Sequence, residues 1–200
     1  MNAAFHAIVV SILTGAFAIS VLALVIRFYV QLKAKGKIET LGRYADFTAW
    51  ISALTGFLLI FAAIVTGFAI WPLEAVMNSP ILKNKIFTAT ILLVFWALFL
   101  WMRWRYKQRI YESTVLSAYY FLLGLGAFGW GVVTNSIGGD VAGNSSGFEY
   151  LMHLFAIDTR WSFYLPNWML VVIVGLGVIA ALLPSFLGKK REDAPKSFQS

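Results

Sequence analysis

STVLSAYYFLLGLGAFGWGVVTNS, residues 113–136, runs into IGGDVAGNSSG, residues 137–147, and then into FEYLMHLFAID, residues 148–158. The first part carries no Asp, Glu, Lys, Arg or His. It is long enough to cross a bilayer, which takes about 20 apolar residues as helix. The second part is rich in glycine and short polar residues and predicts a turn. The third alternates apolar and polar residues at helical spacing and predicts a short amphipathic helix. An oily crossing, a polar turn and an interfacial segment together define a membrane protein. Gly124, Gly126, Gly129 and Gly131 thin the crossing where a neighbouring helix can approach.

The same signature recurs on both sides of this stretch. Residues 4–26, 48–71, 86–102 and 168–183 are also uncharged and apolar, which makes five predicted spans with 113–136. Hydrophobic residues form 60% of the chain, against about 45–50% in soluble domains. The expected fold is therefore an all-α integral membrane protein: a bundle of five transmembrane helices, amino terminus outside, with a short amphipathic helix in the fourth loop. Only helices satisfy their own backbone hydrogen bonds in lipid, and the alternation of a membrane barrel is missing. Pro72 stops the second span, Pro166 precedes the fifth, and Pro184 with Gly188 ends it. Residues 1–188 read as one transmembrane helical domain and 189–200 as a polar cytoplasmic tail. The start, MNAAFHAIVV, lacks the basic leader region of a signal peptide. The first run, ending at Arg27, is thus expected to stay as a membrane helix.

The net charge of +7 is a matter of topology. Thirteen of the sixteen basic residues, from Arg27–Arg43, Arg103–Arg109 and Lys189–Lys196, fall on one side of five spans. Lys83, Lys85 and Arg160 fall on the other. The excess of cytoplasmic Lys and Arg in membrane proteins sets the expected orientation. The chain lacks the basic stripe interleaved with stacking aromatics that nucleic acid requires. The segment FWALFLWMRWRYKQR, residues 95–109, sets Trp96, Trp101, Trp104 and Tyr106 as boundary aromatics and Arg103, Arg105, Lys107 and Arg109 as a topology anchor. Binding of anionic lipid is the alternative for that cluster. Cysteine is absent, which excludes disulfides, thiolate metal sites and cysteine nucleophiles.

Candidate chemistry gathers on the expected outer face. Glu149 and His153 are four apart, hence on one face of a helix, and Phe148, Leu151, Met152, Leu154 and Phe155 fall largely on the other. A divalent-metal site would draw on His6, Glu149, His153 and Asp158, whose nitrogen and oxygen donors suit copper, zinc or iron. Asp158 reaches that set only if the helix ends near Ile157 and the chain bends back. The competing reading is a solvated helix face. No HExxH arrangement, phosphate loop, dinucleotide fingerprint or serine with a base is present. Asn144-Ser145-Ser146 forms a glycosylation sequon.

None of the spans holds an ionisable residue at mid-depth, which argues against a pump or a proton-coupled carrier. With His6 and His153 as the only histidines, a bilayer-centred haem is hard to build. Residues 4–143 resemble a little-characterised family of small bacterial and archaeal membrane proteins with four central helices. The likeness rests on His6 near the start of the first span, and on Gly129-Trp130-Gly131 followed by Gly138-Gly139. That family has a proline after the histidine, where this chain has Ala7. In general character the chain also resembles accessory subunits of large membrane oxidoreductases, including archaeal copper-dependent ammonia monooxygenase-type assemblies. The resulting expectation is a multi-pass protein of the cell membrane without catalysis of its own. It would serve as an accessory subunit beside other membrane proteins and structural lipids, with no resident cofactor. A metal-handling or redox subunit and a neutral-solute transporter are the alternatives.

Overall fold

In a computed structural model, residues 3–33, 39–143, 147–156 and 166–187 are described. The chain is helical throughout these segments: α1 (Ala3–Lys33), α2 (Glu39–Phe68), α3 (Leu73–Asn78), α4 (Pro80–Tyr106), a 3₁₀ segment (Lys107–Glu112), α5 (Thr114–Val141), α6 (Gly147–Leu154) and α7 (Asn167–Leu187). Among the described residues, four helices are long and apolar enough to cross a membrane: α1, α2, α4 with its 3₁₀ extension, and α5. The protein is a multi-pass membrane protein.

The expected count of five spans is corrected to four. The apolar stretch of α7, Asn167–Ala181, is shorter than the other four. The α7 backbone stays helical past Pro184 to Leu187, beyond the stop placed there from sequence. Four crossings bring the start of α1 and the end of α5 to the same end of the bundle. The odd number of crossings therefore falls with the count. The expected tail, 189–200, and the sequon Asn144-Ser145-Ser146 lie outside the described residues.

Each long helix begins or ends on a residue suited to the task. Ser79 caps α4, its Oγ accepting from the Leu82 amide at 3.4 Å, and Pro80 occupies the first turn, where its missing N–H is harmless. Ser113 caps α5 in the same way through Leu116. The glycine-rich stretch expected as a turn is helical: α5 runs through Ile137-Gly138-Gly139-Asp140 to Val141. Packing overrides glycine's weak helix propensity there. A side-chain carbon on Gly138 would sit 3.1 Å from the Lys85 Nζ, so only glycine lets α4 and α5 come this close without Lys85 moving. The turn falls later, at Gly143, with φ +79°.

α1 and α2 form the tightest pair, an antiparallel hairpin whose contacts run end to end. Arg27 meets Glu39 at 3.3 Å, the Ser20 hydroxyl donates to the Ala49 carbonyl at 2.7 Å, Phe17 fills the notch at Gly56, and His6 meets Thr66 at 2.8 Å. Gly56 and Gly67 thus serve contacts within the chain, and Ala63 packs on the same core. Gly124 faces Leu24 and Phe99, and Gly126 faces Phe95, whereas Gly129 opens on nothing.

The centre is a stack of rings. Phe17 lies on Trp96 with centroids 4.2 Å apart, Trp96 meets Phe99 edge-on at 5.3 Å, and Phe99 lies on Tyr120 at 4.3 Å. Trp96, Phe99 and Tyr120 are fully buried, as are Ala49, Ala53 and Ala127, whose small size admits the rings. Trp96 is therefore a core residue, not a boundary one. Trp104 and Tyr106 remain exposed, as boundary aromatics should.

Candidate functional site

Ionisable side chains in the four spans gather towards the helix ends. No Asp, Glu, Lys, Arg or His lies between His6 and Arg27 in α1, beyond Asp46 in α2, between Lys85 and Arg103 in α4, or before Asp140 in α5. This leaves a polar cluster at either end of a ring-filled middle.

The Asp46 end is the more elaborate. Buried positions in α2 follow a helical stripe: Gly42, Asp46, Ala49, Ala53, Gly56 and Ile60. Asp46 thus points inward and is wholly buried. Arg103, in the last turn of α4, donates to both its oxygens at 3.0 Å through Nε, and at 2.5 Å through Nη2. The Tyr111 hydroxyl donates to it at 2.5 Å and the Gln108 amide at 3.2 Å. Lys107 makes this possible. It takes φ 51°, ψ −131°, outside ordinary helical space, and redirects the chain from α4 into the 3₁₀ segment that carries Gln108 and Tyr111. Arg27, 3% exposed, stands over the Tyr111 ring, 3.9 Å from its centroid, and its Nε is buried without an acceptor. Gln31 bridges the Tyr111 carbonyl, to which it donates at 3.3 Å, and the Ser117 hydroxyl, from which it accepts.

Chemically, this is a closed lock. Both Asp46 oxygens are engaged by an arginine, which leaves the carboxylate no open face for a metal. The network ties α2, α4, the 3₁₀ segment, α1 and α5 together at one level. Beside it lies an open pocket of about 380 Å³ lined by residues including Arg27, Glu39, Arg43 and Glu112.

The sequence carried a signal for Asp46 that was not used. Extending the small-residue stripe back from Gly56 through Ala53 and Ala49 lands on Asp46, at alternating spacings of three and four. Asp46 lies outside the span predicted over residues 48–71, whereas α2 begins at Glu39. Arg103, expected as a topology anchor, is the partner that burial of Asp46 demands.

At the opposite end, His6 and His153 are the expected metal residues whose side chains fall within the described residues. His6 Nδ1 is 2.8 Å from the Thr66 hydroxyl, which itself donates to the Ala62 carbonyl at 2.9 Å. Nδ1 must then be the donor, which leaves Nε2 with its lone pair in the form a metal would need. Lys85 acts on the same imidazole electrostatically, and its ammonium opposes a cation there. His153 is exposed on α6. The α6 backbone is helical through positions 149 and 153, and it ends at Leu154, with a turn at Ala156 (φ 56°). The Glu149 side chain and Asp158 lie outside the described residues. Among the described residues, no three of His, Cys, Asp and Glu gather as a metal-binding group.

No family model, curated protein or solved structure matches the chain. Of the likenesses drawn from sequence, the four-helix apolar bundle of a small integral-membrane protein is what the fold supports.

Proposed function

We propose that this protein is a non-catalytic accessory subunit of a multisubunit complex in the cell membrane, of the respiratory or oxidoreductase kind. The observation that carries the reading is the contrast between a filled interior and an unburied α6. The bundle closes its own centre with stacked rings and locks one end with Asp46. α6, at the end of the bundle shared with His6, leaves most of its described apolar side chains open, Met152 being half-buried: Tyr150 is 71% exposed, Leu154 66%, and Phe155, just beyond the helix, 66%. A surface of this kind suits a neighbouring subunit held against it.

Solubilisation of native membranes in mild detergent tests this. A set of stoichiometric membrane partners should copurify with the chain, and Tyr150→Glu with Phe155→Glu should release them while leaving the bundle folded. A monodisperse single chain from native membranes, or partners that withstand both changes, refutes the reading.

A further inference from the structure

The pocket beside the Asp46 lock holds charges the fold does not use. Its deep wall is Arg27, whose contacts to Glu39 measure 3.3 and 3.5 Å. Those are long against the ~2.7–2.9 Å of a good charge-assisted bond. At the mouth stand Arg43 and Glu112, both exposed and lining the same pocket. Neither makes an ion pair or hydrogen bond among the described residues. The pocket thus offers a positive and a negative charge side by side.

Arg43 also borders a second hollow of about 360 Å³, lined by Thr40, Arg43, Tyr44 and Phe47. These positions, continued by Ile51, are spaced three and four apart along one face of α2, leading away from the charged mouth into the span. Tyr44 is 70% exposed and Phe47 59%. A charged hollow at the end of a crossing helix, opening on an aromatic lane along that helix, has the form of a lipid: headgroup above, glycerol and chain below.

We propose that this site holds one aminophospholipid, a phosphate diester carrying a primary ammonium. The phosphate sits between Arg43 and Arg27, the ammonium between Glu112 and Glu39, and one acyl chain lies along Tyr44 and Phe47. The mixed charge selects against a purely anionic headgroup, which would meet two carboxylates, and against a quaternary ammonium, which has no N–H to donate to them. The Arg103 to Arg109 cluster is a poorer candidate, because Arg103 is already spent on Asp46.

The test uses the full chain, stripped of lipid in detergent and offered equal amounts of phosphatidylethanolamine, phosphatidylcholine and phosphatidylglycerol, with retained lipid counted by native mass spectrometry. One phosphatidylethanolamine should be retained per chain, in preference to the other two. Arg43→Gln should lower its retention about fivefold, the worth of one basic residue at a membrane surface. Glu112→Gln should abolish the preference over phosphatidylcholine. Both side chains are exposed and unbonded, so an unchanged elution volume will show that the variants fold. Equal retention of the three lipids, preferred phosphatidylglycerol, displacement by millimolar inorganic phosphate, or indifference to Arg43→Gln overturns the proposal.

Discussion

Asp46→Ala removes the acceptor of five hydrogen-bond contacts at once: two from Arg103 Nε, one to each oxygen, and one each from Arg103 Nη2, Tyr111 and Gln108. Breaking a buried ion pair by deleting one partner costs about 3–5 kcal/mol, because the survivor stays buried and unpaired. The Arg103 side chain keeps 17% of its exposure and can turn partly towards water. The lower end of the range, about 3 kcal/mol, is therefore expected. Unfolding in mixed micelles with rising dodecyl sulfate, followed by tryptophan fluorescence, reads this directly, since Trp96 is buried in the ring stack. The midpoint should fall with little change in slope. Asp46→Leu combined with Arg103→Met should recover most of the loss, since a hydrophobic pair of similar volume often replaces a buried ion pair without harm. A double-mutant cycle between the two sites should show strong coupling. An Asp46→Ala variant within about 0.5 kcal/mol of the parent, or strictly additive effects of Asp46→Ala and Arg103→Ala, would refute the lock, since that margin is typical of a surface change.

Three further outcomes follow from the packing. A methyl on Gly56 would press on the Phe17 ring, which is itself held against Trp96, so Gly56→Ala should lose about 1–3 kcal/mol by overpacking; Gly129→Ala, opening on nothing, should be neutral or slightly stabilising in the same assay. Lys107 holds a conformation natural only to glycine, so Lys107→Gly should gain about 1 kcal/mol, the low end of the cost of such backbone strain; a loss would mean the lysine side chain matters more than its backbone. His6→Ala removes the Thr66 contact and should cost about 0.6–2 kcal/mol, the usual worth of an interhelical hydrogen bond in a membrane. The paired cysteine variants His6→Cys and Thr66→Cys should cross-link under mild oxidation, and failure to do so would contradict the α1–α2 register.

Hydropathy alone announced the long helices, because a membrane crossing is a continuous apolar run and needs no tertiary information. It failed where length or burial decides. α7 is as apolar as its neighbours, but its described apolar stretch is too short to count as a crossing. Gly138 and Gly139 predict a turn, whereas α5 runs through both and the turn falls at Gly143. Trp96 looked like a boundary aromatic, and only its stack on Phe17 identifies it as core. Of the four residues expected as a metal set, the Glu149 side chain and Asp158 lie outside the described residues. His6 bonds Thr66 through Nδ1.

The polar lock was the hardest feature to foresee, and the reason is physical. A charged residue seven positions into a helix looks like linker when spans are drawn by hydropathy, since each charge shortens the apparent run. The structure runs the helices on past the oily part. α1 has 31 residues, about 46 Å at 1.5 Å per residue, against about 30 Å of hydrocarbon. The surplus turns project into the boundary layer, where a carboxylate can be buried by protein and still be approached by arginine, tyrosine and amide donors from two other segments. Helix ends in a bilayer are thus where buried polar interactions are least costly to assemble. Asp46 meets Arg103 there, and the unspent charges of Arg43 and Glu112 stand beside them, at the level where lipid headgroups begin.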